Sequence, residues 1–150
     1  MMKMLIKLDE ERVRRDGKYD LAEMWRKIDE KFDKYHCIKE VQPGGGVLYS
    51  GNPDYDYFTC MGLSYLSLRK MQWFALYCTE WILYDNDDDE DLPLQDIDLL
   101  TKERGKNPLF AAVWAMERPK RKAINFDLDT VQTRAENGYG EKQDNGKEKR

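Results

Sequence analysis

DLAEMWRKIDEKFDKYHCIKEVQPGGGVLYS, residues 20–50, is the stretch whose reading decides the fold. In its first half Leu21, Met24, Trp25, Ile28, Phe32 and Tyr35 recur at helical spacing, which puts one apolar stripe along a helix. Asp20 stands where an N-cap belongs, and Glu23 three positions later completes a capping-box pattern. Arg26, Lys27, Asp29, Glu30 and Lys34 fill the opposite face. In the second half two β-prone runs, Cys37 to Val41 and Val47 to Ser50, flank Pro43-Gly44-Gly45-Gly46. A glycine-rich turn between two such runs reads as a β-hairpin.

Outward from this helix and hairpin, Lys3 to Leu8 alternates weakly and predicts a first strand. The charged stretch Asp9 to Lys18, with Gly17 near its end, reads as a helical turn or a loop. On the other side Asn52-Pro53-Asp54 punctuates the chain. Phe58, Met61, Tyr65 and Leu68 then return every three or four residues, predicting a helix opened by Asp54 or Asp56. Trp73, Phe74, Tyr77, Cys78 and Trp81 also fit helical spacing, but Thr79 to Tyr84 has strand composition. The reading adopted is helix to about Cys78 and strand to Tyr84. The order strand, helix, hairpin, helix, strand is that of an α+β protein built on a split βαββαβ (ferredoxin-like) unit. In it an antiparallel sheet carries its helices on one face. Beyond it, Leu94 to Arg104 predicts a short helix and Pro108 to Met116 another, stopped before Pro119. Ile124 to Leu128 predicts a further strand. The expected organisation is one domain over 1–128, with a C-terminal helical extension, and a disordered tail over 129–150 that is nearly devoid of apolar residues.

A chain of 150 residues holds one sizeable core and not two. No apolar stretch approaches the ~20 residues that cross a bilayer, and Lys3 and Lys7 interrupt the N-terminal run before a signal-peptide core can form. Cys37, Cys60 and Cys78 are odd in number, far apart and set in apolar surroundings. They read as buried reduced thiols, and the compartment as the cytoplasm.

Charge is distributed unevenly. Residues 1–84 carry thirteen Lys or Arg and thirteen Asp or Glu; residues 85–100 carry eight acids and no Lys or Arg; residues 101–150 carry twelve bases and eight acids. The densest part is Asp85-Asn86-Asp87-Asp88-Asp89-Glu90-Asp91. An EF-hand loop spaces its acids at alternate positions, with a central Gly and a closing Glu, and this run has neither. Hence no metal is assigned to it, and its plainest reading is a solvated acidic loop. A row of carboxylates also imitates a row of phosphates, and so attracts a groove built for nucleic acid. Trp81, Tyr84, Leu92 and Leu94 beside it would supply the apolar anchor of such an interface.

Other candidates carry less. His36 is the only histidine and adjoins Cys37. Neighbours in a strand point to opposite faces, so a nucleophile pair would need Cys60 or Cys78 to reach His36 through the fold. No Cys-x2-Cys spacing supports structural zinc. Gly44-Gly45-Gly46 lacks the Lys-Ser/Thr of a phosphate loop and is a turn. Arg118, Lys120, Arg121 and Lys122 form a basic cluster able to meet phosphates. The split βαββαβ order is also that of the RRM, yet Val47 to Ser50 lacks the basic-Gly-aromatic run on which RNA bases stack, and the chain is net acidic.

The run YDLAEMWRKIDEKF (residues 19–32) and the block WILYDND (residues 81–87) resemble small accessory proteins on mobile elements of gut Firmicutes, some of which are anti-CRISPR proteins that inhibit Cas nucleases. The resemblance covers a small part of the chain and carries over no functional residue. It implies an inhibitor that occupies a nucleic-acid or target-recognition surface of a nuclease.

The functional expectation is therefore a non-catalytic, cytoplasmic protein-binding accessory or inhibitor protein without cofactor. Its partner-binding residues are Trp81, Tyr84, Asp85, Asp87, Asp88, Asp89, Glu90 and Asp91, and its partner is a basic nucleic-acid-handling protein such as a Cas nuclease. Two alternatives stand beside it. One is a small enzyme with a composite His36 and cysteine site; the other is an RNA- or DNA-binding domain using residues 118–122.

Overall fold

The structure is a computed structural model that describes residues 1–86, 89 and 91–124, with residues 118–124 described by their backbone. Its described residues fall into two units, Met1–Trp114 and a second that begins at Ala115. The elements run β1 (Met2–Leu8), α1 (Glu10–Asp16), α2 (Leu21–Asp33), β2 (Ile38–Val41), β3 (Val47–Ser50), α3 (Tyr57–Leu68), α4 (Gln72–Tyr77), β4 (Cys78–Asp85), β5 (Gln95–Asp98), α5 (Leu99–Lys106) and α6 (Pro108–Ile124). The protein is α+β, with an antiparallel five-stranded sheet in the order β2-β3-β1-β4-β5.

The register sorts the side chains onto two faces. Met4 pairs with Tyr49 on one side and Leu83 on the other, and Ile6 with Val47 and Trp81. Paired residues of an antiparallel ladder share a face. Thus Met4, Ile6, Val47, Tyr49 and Trp81, all buried, line the inner face. The helices pack there: Phe32 of α2 stacks on Tyr49 with ring centroids 4.0 Å apart, and Phe74 of α4 meets Trp81 edge-on at 4.9 Å. Phe110 of α6 lies 6.0 Å from Trp81, and Leu99 and Leu100 of α5 complete the core. On the outer face Lys3, Leu5 and Lys7 alternate with these residues and are half-buried.

Capping fixes where the helices begin. Asp20 accepts from the Ala22 amide at 3.0 Å, Asp56 from the Thr59 amide at 3.0 Å and Asp98 from the Thr101 amide at 3.1 Å, each satisfying one orphan donor of a first turn. Glu23 does not close the expected capping box; its carboxylate binds Arg26 instead. The charged stretch after β1 is a helix, α1, stopped by Gly17 in the left-handed conformation. Trp25 is half-buried and ties α2 to α1 through its indole nitrogen, which donates to Glu10 at 2.9 Å. Two glycines are required by close approach: a Cβ at Gly46 would stand 2.8 Å from the Ile6 carbonyl, and one at Gly51 2.4 Å from the Tyr57 ring.

Further expectations change. The segment after the acidic run is β5 followed by α5, not one helix from Leu94. Gln95-Asp96-Ile97-Asp98 pairs with β4 because edge strands tolerate charge and need bury little. α6 continues through Pro119 to Ile124; proline costs a helix one hydrogen bond and some crowding without forbidding it. Phe58, assigned to the apolar stripe of α3, is 70% exposed, whereas Met61 and Leu68 of that stripe are buried, joined by Cys60 and Ser64. The predicted strand at Ile124 to Leu128 meets the last turn of α6 at Ile124. The rest of it, like the predicted tail over 129–150, lies outside the described residues.

Candidate protein-binding surface

The acidic run forms the connection of the β4–β5 hairpin, whose last pair before the loop is Asp85 with Gln95. Among its described residues, Asn86 accepts from the N-terminal ammonium at 3.0 Å, which anchors the loop to the start of β1. The amide of Asp89 donates to the Asn86 carbonyl at 3.0 Å, and the carboxylate of Asp89 accepts from the Asp91 amide at 3.0 Å. These are turn contacts of a kind Asp and Asn make well. Asp87, Asp88 and Glu90 lie outside the described residues.

Alternation along β4 places Trp81, Leu83 and Asp85 on the inner face and Tyr84 on the outer one. Tyr84 is half-buried, between Lys3 and Asp96. Trp81 is fully buried, its ring against Tyr65, Phe74 and Phe110 and its indole nitrogen donating to Met4 Sδ at 3.2 Å. It is core and cannot reach a partner, which corrects its assignment as an anchor. Its sequence neighbourhood was misleading because four residues along a strand carry the chain from mid-sheet to the loop. Leu92 (51% exposed) and Leu94 (38% exposed) remain available.

The apolar ground beside the hairpin comes from another element. Met2 and Met4 of β1, Leu83 of β4, Leu99 of α5, and Phe58, Met61, Gly62 and Tyr65 of α3 line a pocket of about 120 Å³. Gly62 exposes this floor because it has no side chain to cover it; nothing would oppose a Cβ there. Leu63, Leu66 and Ile97 are also exposed. Leu83 belongs to this pocket and Asp85, two residues on, shares its strand face, which puts one carboxylate of the run on the same face as this apolar surface. Asp56, at the start of α3, adds another anion; hydrogen bonds from the Thr59 hydroxyl and amide hold its carboxyl below the usual range.

Sequence reading missed Phe58 as a surface residue. The signal was present: in α3 the spacing of Phe58, Gly62 and Leu66 is a second stripe, i, i+4, i+8, beside the buried one.

The remaining candidates are placed as follows. His36 is exposed at φ +60° and lies against Tyr55, ring centroids 4.0 Å apart. Cys60 and Cys78 are buried as expected, but Cys37, on the rim of the α2 exit, is only half-buried; its thiol faces Cys60, and Cys78 donates to the Glu80 carbonyl. Burial pushes the Cys78 thiol well up. Among the described residues no group of three or more His, Cys, Asp or Glu side chains converges as a metal site requires. Arg118 to Lys122 fall on the backbone of α6 within the second unit. No described helix is long and apolar enough to cross a membrane. No family model, curated protein or solved structure matches this chain.

Proposed function

We propose that this chain is a non-catalytic, cytoplasmic accessory or inhibitor protein. Its acidic β4–β5 hairpin docks on the basic groove of a nucleic-acid-handling protein, with an anti-CRISPR-like inhibitor of a Cas nuclease the most specific form of the reading. One observation carries it: Asp85, the first residue of a run of sequence dense in carboxylates, shares a strand face with Leu83 of an apolar pocket on which Phe58 stands 70% exposed. Carboxylates in a row attract a phosphate-binding groove from a distance, and an apolar anchor beside them supplies the contact that holds it.

The scaffold fits the same reading. In a split βαββαβ unit the two strands joined by each helical crossover flank a third. Here β1 and β2 flank β3, while β3 and β4 flank β1, which supports a ferredoxin-like assignment for the first four strands. β5 then extends the sheet on the β4 side as its edge strand.

The experiment is affinity purification from a related bacterium at low and at moderate salt, followed by binding measurements on the recovered partner. The expected partner is basic, handles nucleic acid and is released as salt rises. Changing Asp87, Asp88, Asp89 and Asp91 together to Asn is expected to weaken binding at least tenfold and to flatten its salt dependence. Unchanged affinity in that variant would sink the proposal.

A further inference from the structure

Cys37 and Cys60 lie 23 positions apart in sequence with their sulfurs 3.2 Å apart. Neither approach is incidental. The Cys37 amide donates to the Phe32 carbonyl at 3.2 Å, which fixes the residue at the exit of α2. Cys60 stands on α3 with its sulfur 3.6 Å from the Lys31 carbonyl and 3.7 Å from that of Phe32, and Ser64 one turn on donates to the Lys31 carbonyl at 3.3 Å. The two sulfurs are thus held from both sides at the end of one helix. A disulfide needs about 2.05 Å between sulfurs, so closure asks for a movement of roughly 1 Å. Both thiols are free.

Access is one-sided. Cys60 is fully buried, whereas Cys37 is partly exposed and opens on a surface pocket of about 250 Å³ that Arg26, Asp29, Glu30, Asp33 and Lys39 also line. The charge on the lining is already paired in part, Arg26 with Glu30 and Lys39 with Asp29 at 2.7 Å.

We propose that Cys37 and Cys60 form an oxidisable dithiol, with Cys37 the entry point for a small organic disulfide and Cys60 the resolving thiol. Cys37, deprotonated, attacks one sulfur of the reagent; the reagent's S–S bond breaks and its first half leaves as a thiol carrying that proton. Cys60 then attacks the Cys37 sulfur of the mixed disulfide, and the second half leaves as a thiol with the Cys60 proton. Two protein thiols are oxidised, one disulfide is reduced to two thiols, and the product bond staples the exit of α2 to α3. In the reduced pair the Cys37 thiol donates to Cys60, which pushes Cys37 up and holds Cys60 down, so that proton must leave before Cys37 attacks; access, not acidity, makes Cys37 the entry point.

The test treats the folded chain with bis(2-hydroxyethyl) disulfide, then counts thiols after denaturation and maps cross-linked peptides. The expected product retains one thiol, Cys78, and joins the peptide of Cys37 to that of Cys60. Its melting temperature is expected to rise by on the order of 10 °C, because the bond closes a loop of moderate length in the unfolded chain. Dithiothreitol is expected to reverse the rise. In Cys60→Ser the reaction is expected to stop at a mixed disulfide on Cys37. Three thiols surviving treatment, a mixed disulfide persisting on Cys37 in the unsubstituted protein, or a cross-link through Cys78 would each overturn the proposal. The unsubstituted chain alone decides it if the serine variant does not fold.

Discussion

Glu103 is fully buried on α5, and a lone buried carboxylate is costly. It is compensated by three hydrogen-bond donors, the Tyr65 hydroxyl, Arg69 Nε at 2.8 Å and Asn107 Nδ2 at 3.0 Å, and by the Lys106 ammonium 3.7 Å away. Burial acts to raise its pKa, but the hydrogen bonds from Tyr65, Arg69 and Asn107 outweigh it and leave the carboxyl below its usual range. The same bonds join α5 to α3, and Asn107 continues the link by donating to the Arg69 carbonyl at 2.9 Å. Glu103→Ala should therefore cost about 3 kcal/mol, measurable by urea unfolding, since it strands Tyr65 and Asn107 as well as removing a charge. A depressed folded pKa stabilises at pH above the unfolded value, about 4.3, and that contribution is lost as pH falls through the folded value. Acidification below about pH 4 should then erode the stability of the unsubstituted protein more steeply than that of Glu103→Gln. Equal slopes would mean that the network does not depend on the charge. Nothing in the sequence announces Glu103: its hydrogen-bond donors are 38, 34 and 4 positions away, and only the packing of α3 on α5 unites them.

At the scale of elements, those marked by a local period, by strand composition or by a glycine-rich turn were legible: α2, the β2–β3 hairpin, α3 and the change from α4 to β4 all lie close to where periodicity and composition put them. Their starts are set by local chemistry too. Asp20→Ala should cost about 1 kcal/mol through the loss of the bond to the Ala22 amide, with little change in the denaturant slope. A loss indistinguishable from zero would show water capping the helix equally well. β5 was not legible, because Asp96 and Asp98 carry no strand preference and no turn residues set it off from the helix that follows. Pairing with β4 makes it a strand, and that depends on a turn between them crowded with like charge. Replacing Asp87, Asp88, Asp89 and Asp91 with Asn should thus raise the melting temperature at low ionic strength by about 1–3 °C. The gain should vanish near 0.5 M salt, where the Debye length is only about 4 Å. Asn retains the side-chain oxygen with which Asp89 accepts the Asp91 amide, so the turn itself should survive. A gain that persists at high salt would point to backbone effects in place of repulsion.

Across the whole molecule the candidate site was half legible. Its charge could be read from the sequence, because seven consecutive residues contain six carboxylates. Its apolar half could not, because it draws Phe58, Met2, Leu83 and Leu99 from four elements that only the sheet order brings together. The two halves should act on different steps of association. Long-range attraction governs encounter, so neutralising the loop should lower the association rate constant and its salt dependence, with a smaller effect on dissociation. Phe58 is too short in reach to steer anything, but once seated it excludes water from the contact, so Phe58→Ser should speed dissociation at least tenfold and leave association within about twofold. Because Phe58 is 70% exposed, the same change should hardly alter folding stability, which makes a loss of binding interpretable. Surface plasmon resonance at two salt concentrations separates these effects. If Phe58→Ser leaves dissociation unchanged while the loop variant abolishes binding, the docking surface is the acidic hairpin alone and the α3 pocket has no part in it.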